Sequence, residues 1–533
     1  MTKTRNLQII TAVILAAMFS SLAMAELRLT KLFSDNMILQ RDMQAPVWGW
    51  AEPGEKVVVQ FSGQEKSAVA GDDGKWMVRL DPLPASCTPE ILTIVGKTDR
   101  KEYKNVVVGE VWLCSGQSNM ASGFKYLGLL DEIKDVDYPM IRMSGFPNEV
   151  NPIPTELIFP HYEWSVCNTQ NLQIYPCVPY YFALNLWKEL QIPIGVIHAG
   201  IGSSSIEAWM PPESFIGNEK FEGAVEKMEK VQKDYRLYST YSLEEKRRIA
   251  KEISEDKYGC ILKGRLNDNM TDKEAEYFFR FSLILRPACL FNYEIRAVIP
   301  FAIKGAIWYQ GETDCWRKEN IAGYAERQKS MVENWRKLWG QGDFPFYFAQ
   351  IAPYKDYYGL TDFWLEQYKA AEEVENSAMI STVDISDVND VHPKNKRDVG
   401  KRLALLALKN DYARKDVVAS GPVYKSMKIV DGKIIVAFDC LGSGLSTKDG
   451  KEPDSFEVAA DDGVFYPAKA VITADTVEVS SPDVQKPVNV RFAWNNLANP
   501  NFRNKEGLPV FPFNTAEPYF NQRPIEKVQG ITK

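Results

Sequence analysis

The chain has 533 residues, 45% of them hydrophobic, and a formal net charge of −7, which is enough length for two or three domains that each bury a core. An acidic balance gives no electrostatic footprint for a nucleic-acid partner. The 8 cysteines are scattered without CxxC spacing, which excludes a disulfide-built fold and a cysteine zinc site.

Lys3 and Arg5 precede an apolar run from Ile9 to Phe19 and small residues ending Ala23-Met24-Ala25. This pattern predicts a secretory signal over residues 1–25, cleaved after Ala25, so that the mature protein is periplasmic or secreted and no longer held at a membrane. An uncleaved N-terminal anchor is the competing reading. From residue 26 to 105, short β-rich runs such as Val57-Val58-Val59-Gln60-Phe61 are broken by Pro53-Gly54 and Asp73-Gly74, which predicts an N-terminal β-sandwich.

The rhythm then changes. Apolar runs at 106–114, 194–199, 303–310, 346–351 and 379–384 alternate with helical stretches, which predicts an α/β domain with a parallel sheet over residues 106–411. Tyr324, Met331, Trp335, Leu338 and Trp339 share one face of a helix that Gly340 stops. A charged helical insertion, expected as a hairpin over about 212–290, carries capping-box patterns at Ser242 to Glu245 and Thr271 to Glu274. After residue 411, Asp431-Gly432 and Asp462-Gly463 mark turns of a C-terminal β-domain over 412–533. Cys167 and Cys177 are the cysteines nearest in sequence, and spacing leaves open whether they pair or stay as core thiols.

Four segments at predicted strand ends gather the polar groups that ester hydrolysis requires, where sites form in open α/β sheets. The first is Gly116-Gln117-Ser118-Asn119, which presents Ser118 as a nucleophile in a turn. The second, Gly195 to Ser205, ends in small residues that let a backbone N–H approach an oxyanion, and Gly202 is the candidate donor. His198 lies inside that apolar run and reads as a buried structural histidine. The third, Trp308 to Asp314, supplies the Gln310 amide as an oxyanion donor and Glu312 as a supporting carboxylate. The fourth, Asp384 to Arg397, holds His392 before a helix beginning near Asn395. The chain has only 3 histidines, so His392 is the candidate base, with His161 a weak competitor and Asp390 or Asp387 candidates to hold its ring.

Taken together, Gly109 to Met120, Ile206-Glu207-Ala208-Trp209, Ile303 to Glu312 and Asn389-Asp390-Val391-His392-Pro393 resemble the SGNH hydrolase superfamily, and more closely its bacterial sialate O-acetylesterase-like branch. The similarity extends to Gly442-Ser443-Gly444-Leu445 and Asn504 to Pro509. It implies a flavodoxin-like hydrolase core flanked by the two β-domains, cleavage of acetyl esters on sugars, and neither metal nor cofactor. By matching position, Ser118 is the expected nucleophile and His392 the base. The N–H groups of Ser118 and Gly202 with the Gln310 amide form the expected oxyanion hole, and Gln117, Asn119 and Glu312 support it. Asn389 stands where the superfamily commonly has Asp, which leaves two readings open: Asp390 as third member, or a Ser-His dyad. Ser203 replaces the second glycine of the family's pair.

The resulting expectation is an exported serine esterase whose partner is an acetylated sugar, O-acetylated sialic acid first and acetylated xylan as the alternative. A non-catalytic carbohydrate-binding protein is the rival from another class. A lipase would need an apolar lid segment that the chain does not show.

Overall fold

The computed structural model describes residues 26–145, 150–154, 163–255 and 269–521. The expected signal segment and His161 lie outside the described residues.

The strand that leads to Ser118, Arg100–Gly116, is the longest in the molecule among the described residues and belongs to two regions at once. Up to Asn105 its residues alternate between exposed or half-buried, and from Val106 all are buried. The alternation marks a sheet with one wet face, the continuous burial a sheet covered on both. Its first part pairs antiparallel with Ser86–Val95, which pairs with Lys56–Phe61 and through it Gln64–Val69. Val57, Val59 and Phe61 point inward at the period of two that a half-buried strand requires. The composition shift at residue 106 is therefore real, but it falls inside one unbroken strand.

The second part of this strand is central to the α/β sheet, whose order is Ser165–Asn168, Asp137–Ser144, Ile194–Gly200, Arg100–Gly116, Gly305–Tyr309, Phe346–Ala349, Ser377–Ile380. All pairs are parallel except that of the first two strands. The five runs expected from the sequence stand in the order 2-1-3-4-5, which places the topological switch between the serine strand and Gly305–Tyr309. Crevices outside the carboxyl ends at such a point are where open α/β sheets bind ligands. Helix Cys177–Leu190 packs on Lys396–Asp411, and Tyr324–Trp339 on Leu360–Glu373. The helix Tyr324–Trp339 ends at Gly340 in the left-handed conformation (φ 67°), as its sequence requires.

Between the second and third of those runs stand helices Ala224–Leu237, Leu243–Glu255 and Asp272–Leu283, so among the described residues the insertion has three substantial helices rather than the two of a hairpin. Both expected capping boxes form. The insertion has a small core of its own, in which Tyr238 and Phe279 stack at 4.1 Å.

The C-terminal region contains two four-stranded antiparallel sheets. The Asp431-Gly432 turn has φ of 49° and 74°, the paired left-handed conformation that closes tight hairpins. The region touches the α/β core near the histidine loop, where Ser386 Oγ donates to the Ala498 carbonyl at 3.0 Å. Cys167 and Cys177 are both buried, free thiols.

Candidate active site

Three parallel strands deliver three of the four motifs to one end of the sheet. Gly116, last residue of the serine strand, has φ of 141° and lies so close to the neighbouring strand that a Cβ there would stand 2.2 Å from the Tyr309 carbonyl oxygen. Only glycine permits that approach. The chain then turns at Gln117, whose N–H donates to the Tyr309 carbonyl at 2.9 Å. The Gln117 side-chain oxygen accepts from the N–H groups of Gly311 and Thr313 at 3.2 and 3.3 Å. Gln117 thus locks the first motif to the third, and Ser118 opens a short helical turn.

Ser118 is half-buried and lies on the wall of an open cavity of about 480 Å³ together with Gly202, Lys125, Tyr126, Gln173 and Ile174. A Cβ on Gly202 would stand 3.3 Å from the Ser118 Cβ, so the second motif packs directly against Ser118. Among the described residues neither the Ser118 nor the Gly202 N–H donates to a protein acceptor. Two backbone N–H groups left free at adjoining turns can bind an oxyanion. Ser203 is held at φ 59°, a left-handed conformation that costs a non-glycine residue roughly 1–2 kcal/mol. It does not line the cavity.

Gln310 differs from its expected aim. Its amide nitrogen donates to the Ser204 carbonyl at 2.9 Å and to Asp314 Oδ2 at 2.6 Å, and its oxygen accepts from the Tyr324 hydroxyl at 2.8 Å. Asp314 Oδ2 also accepts from the Ile206 N–H at 3.1 Å. Both amide hydrogens are therefore used inside the protein, where they fix the Gly202 loop instead of facing the cavity.

His392 is brought to the serine turn by its own loop. Asn119 donates to the Val391 carbonyl at 3.0 Å. The imidazole meets the Tyr126 ring edge-on, centroids 5.8 Å apart. No hydrogen bond joins Ser118 Oγ to His392 among the described residues, and such catalytic bonds commonly tighten only when substrate binds. Arg402 anchors the loop's start with a two-pronged pair to Asp384 at 2.8 and 2.7 Å. Burial, and after it the charge of Lys396, holds the His392 pKa below its ordinary value, while Asp390 pulls it upward. A neutral imidazole is the form that accepts a proton.

Asp390 is not bonded to the ring. Its Oδ1 accepts the His392 backbone N–H at 2.8 Å and lies 3.9 Å from Nδ1, beyond hydrogen-bond reach. Asp387 Oδ1 accepts from the Asn389 N–H at 3.0 Å, so it serves the turn of the loop. His198 is buried, both its ring nitrogens lack a partner among the described residues, and burial presses its pKa down to about 3. It is a core histidine, as its place in the strand indicates.

One site residue was invisible to sequence reasoning. Lys396, the first residue of helix Lys396–Asp411, is 1% exposed and donates to Asn119 Oδ1. Asn119 in turn donates to Glu312 Oε1. Burial raises the Glu312 pKa, against the hydrogen bond from Asn119. A lysine in a charged helix start reads as solvated, and only the tertiary contact reveals it. Among the described residues no group of three or more His, Cys, Asp or Glu could hold a metal ion.

Residues 291–409 match the family described as carbohydrate esterase, sialic acid-specific acetylesterase. The human sialate O-acetylesterase is 24% identical over 449 residues, 76% of this chain and 75% of the relative. The mouse sialate O-acetylesterase is 26% identical over 452 residues, 76% of this chain and 78% of the relative. A carbohydrate acetylesterase from Xanthomonas citri superposes with a TM-score of 0.73 at 29% identity, covering 92% of this chain and 99% of that one.

Proposed function

We infer that this ester hydrolase, a member of the sialate O-acetylesterase-like branch of the SGNH superfamily, is an exported serine enzyme that removes acetyl groups from sialic acid through a flavodoxin-like core. The observation that carries the serine reading is one cavity lined by Ser118, Gly202 and Tyr126, whose ring meets that of His392 edge-on. The N-terminal and C-terminal β-regions are read as flanking domains, and residues 1–25 as the export signal. No helix among the described residues is long and apolar enough to cross a membrane.

In this reading His392 takes the Ser118 hydroxyl proton as Oγ attacks the acetyl carbonyl. The N–H groups of Ser118 and Gly202 receive the oxyanion, and Gln310 holds the loop that aims Gly202. Collapse breaks the bond to the sugar oxygen, which leaves with the proton from His392 and strands the acetyl group on Ser118. Water, deprotonated by His392, then releases acetate and restores the serine.

Among the described residues Lys125 is the only charged side chain that lines the cavity, and it is exposed. A cation beside the nucleophile favours a sugar bearing a carboxylate over neutral xylan. Acetate release from O-acetylated sialic acid, compared with acetylated xylan, tests the reading. Faster turnover of the sialic acid is expected, and preference for xylan overturns the substrate assignment.

A further inference from the structure

A buried cation needs compensation, and Lys396 has an unusual one. Its ammonium bonds to the Asn119 side-chain oxygen and lies over the Tyr309 ring at 5.9 Å. No carboxylate pairs with it directly among the described residues. The same asparagine donates to Glu312 and to the Val391 carbonyl. The remaining Glu312 oxygen, Oε2, is buried without a partner among the described residues. A lysine and a glutamate are thus joined beneath the nucleophile through one amide, next in sequence to Ser118. For stability alone an apolar cluster of the same volume serves as well or better.

We propose that Lys396 is a positioning residue of the hydrolytic site: it clamps Asn119, which ties the serine turn to the histidine loop, and its charge bears on His392 from the protein interior. This rests on the reading of Ser118 and His392 as the reacting pair. The charged and titratable groups around these two side chains are few. His392 faces Asp390 on its own loop, Lys396 on the next helix and the Tyr126 ring on the turn after the serine. Lys396 faces Glu312 after strand Gly305–Tyr309, Cys177 at the start of helix Cys177–Leu190, and Asp390. Burial brings the Lys396 pKa down to about 8, so near neutral pH the ammonium is largely present. A cation there opposes protonation of the imidazole and keeps the base ready.

The test uses the complete enzyme and 4-nitrophenyl acetate, with kcat/KM measured against pH for wild type, K396M, K396R, S118A and H392A. K396M is expected to lower kcat about 10-fold or more and to move the acidic limb up by about half a pH unit or more, because removing a nearby cation raises the base's pKa. K396R, which keeps the charge, is expected to hold the limb at its wild-type pH while losing turnover. A limb that stays put or moves down in folded K396M overturns the proposal, since a merely structural lysine would lower turnover or Tm without moving it. Should K396M fail to fold, K396R decides: a wild-type limb with reduced kcat supports the proposal, and wild-type kcat overturns the clamp. Wild-type turnover in S118A or H392A overturns the reacting pair and with it this proposal, a failure the lysine variants cannot imitate.

Discussion

The side-chain amide of Asn119 donates to the backbone carbonyl of Val391 at 3.0 Å, across 272 positions of sequence. The immediate neighbours of Ser118 and His392 are therefore bonded to each other. If these two act as one unit, Ser118→Ala and His392→Ala each lower kcat by several orders of magnitude, and the double variant costs little more than either. Stopped or steady-state assays on 4-nitrophenyl acetate check this, with circular dichroism confirming the fold. Near-wild-type turnover in either folded variant removes that residue from the mechanism.

Gln310 gives a separable outcome. With both amide hydrogens bound to Ser204 and Asp314, Gln310→Ala leaves buried groups unpaired and is expected to destabilise the protein by about 1–3 kcal/mol. Denaturant titration measures it. A direct oxyanion donor behaves oppositely: kcat falls about 100-fold or more while stability is unchanged.

Asp390 accepts the His392 backbone N–H and stands 3.9 Å from the ring nitrogen. Asp390→Asn is expected to reduce kcat modestly, not by the roughly 10⁴-fold of a lost triad acid. Its charge also raises the His392 pKa, so the acidic limb of kcat/KM moves to lower pH in the variant. Abolished turnover in a normally melting protein makes Asp390 the third member.

His198 links folding to acid. Its folded pKa is about 3, below its value in the unfolded chain. The unfolded state therefore takes up a proton first as pH falls. Stability contributed by the neutral ring is full above roughly pH 6.5 and declines toward pH 3, by up to about 1.4 kcal/mol per pH unit. Chemical denaturation at pH 7 and pH 5 is expected to show a smaller loss in His198→Leu than in wild type, and an equal loss dismisses the assignment.

Ser203, at φ 59°, occupies backbone that glycine enters freely. Ser203→Gly is expected to raise stability by up to about 1 kcal/mol, part of the strain relief being lost to the looser unfolded chain. Differential scanning calorimetry reads the change, and a lower Tm shows that the serine side chain contributes more than the strain costs.

Much of the candidate site was legible because its residue patterns are local. A glycine-led turn after an apolar run singles out Ser118 as the candidate nucleophile, and scarcity singles out His392 as the candidate base. The strand runs and the helix ending at Gly340 were legible for the same reason, since their periodicities need no distant partner. Gln310 was misaimed because an amide at a strand end looks alike whether it faces a cavity or Asp314. Lys396 was missed because nothing near it in the chain says that it bonds to Asn119, and through it to Glu312. The third helix of the insertion was missed because charged helical patterns give length but no count.

Strand Arg100–Gly116 makes the N-terminal region a root rather than an ornament. Ser118 follows closely on a β-segment whose base pairs with Ser86–Val95, so a chain begun at residue 106 would start in mid-ladder, with the serine turn held only from the α/β side by Gln117 and Asn119. Replacing the N-terminal region therefore means cutting through the strand that ends at Gly116 rather than through a linker.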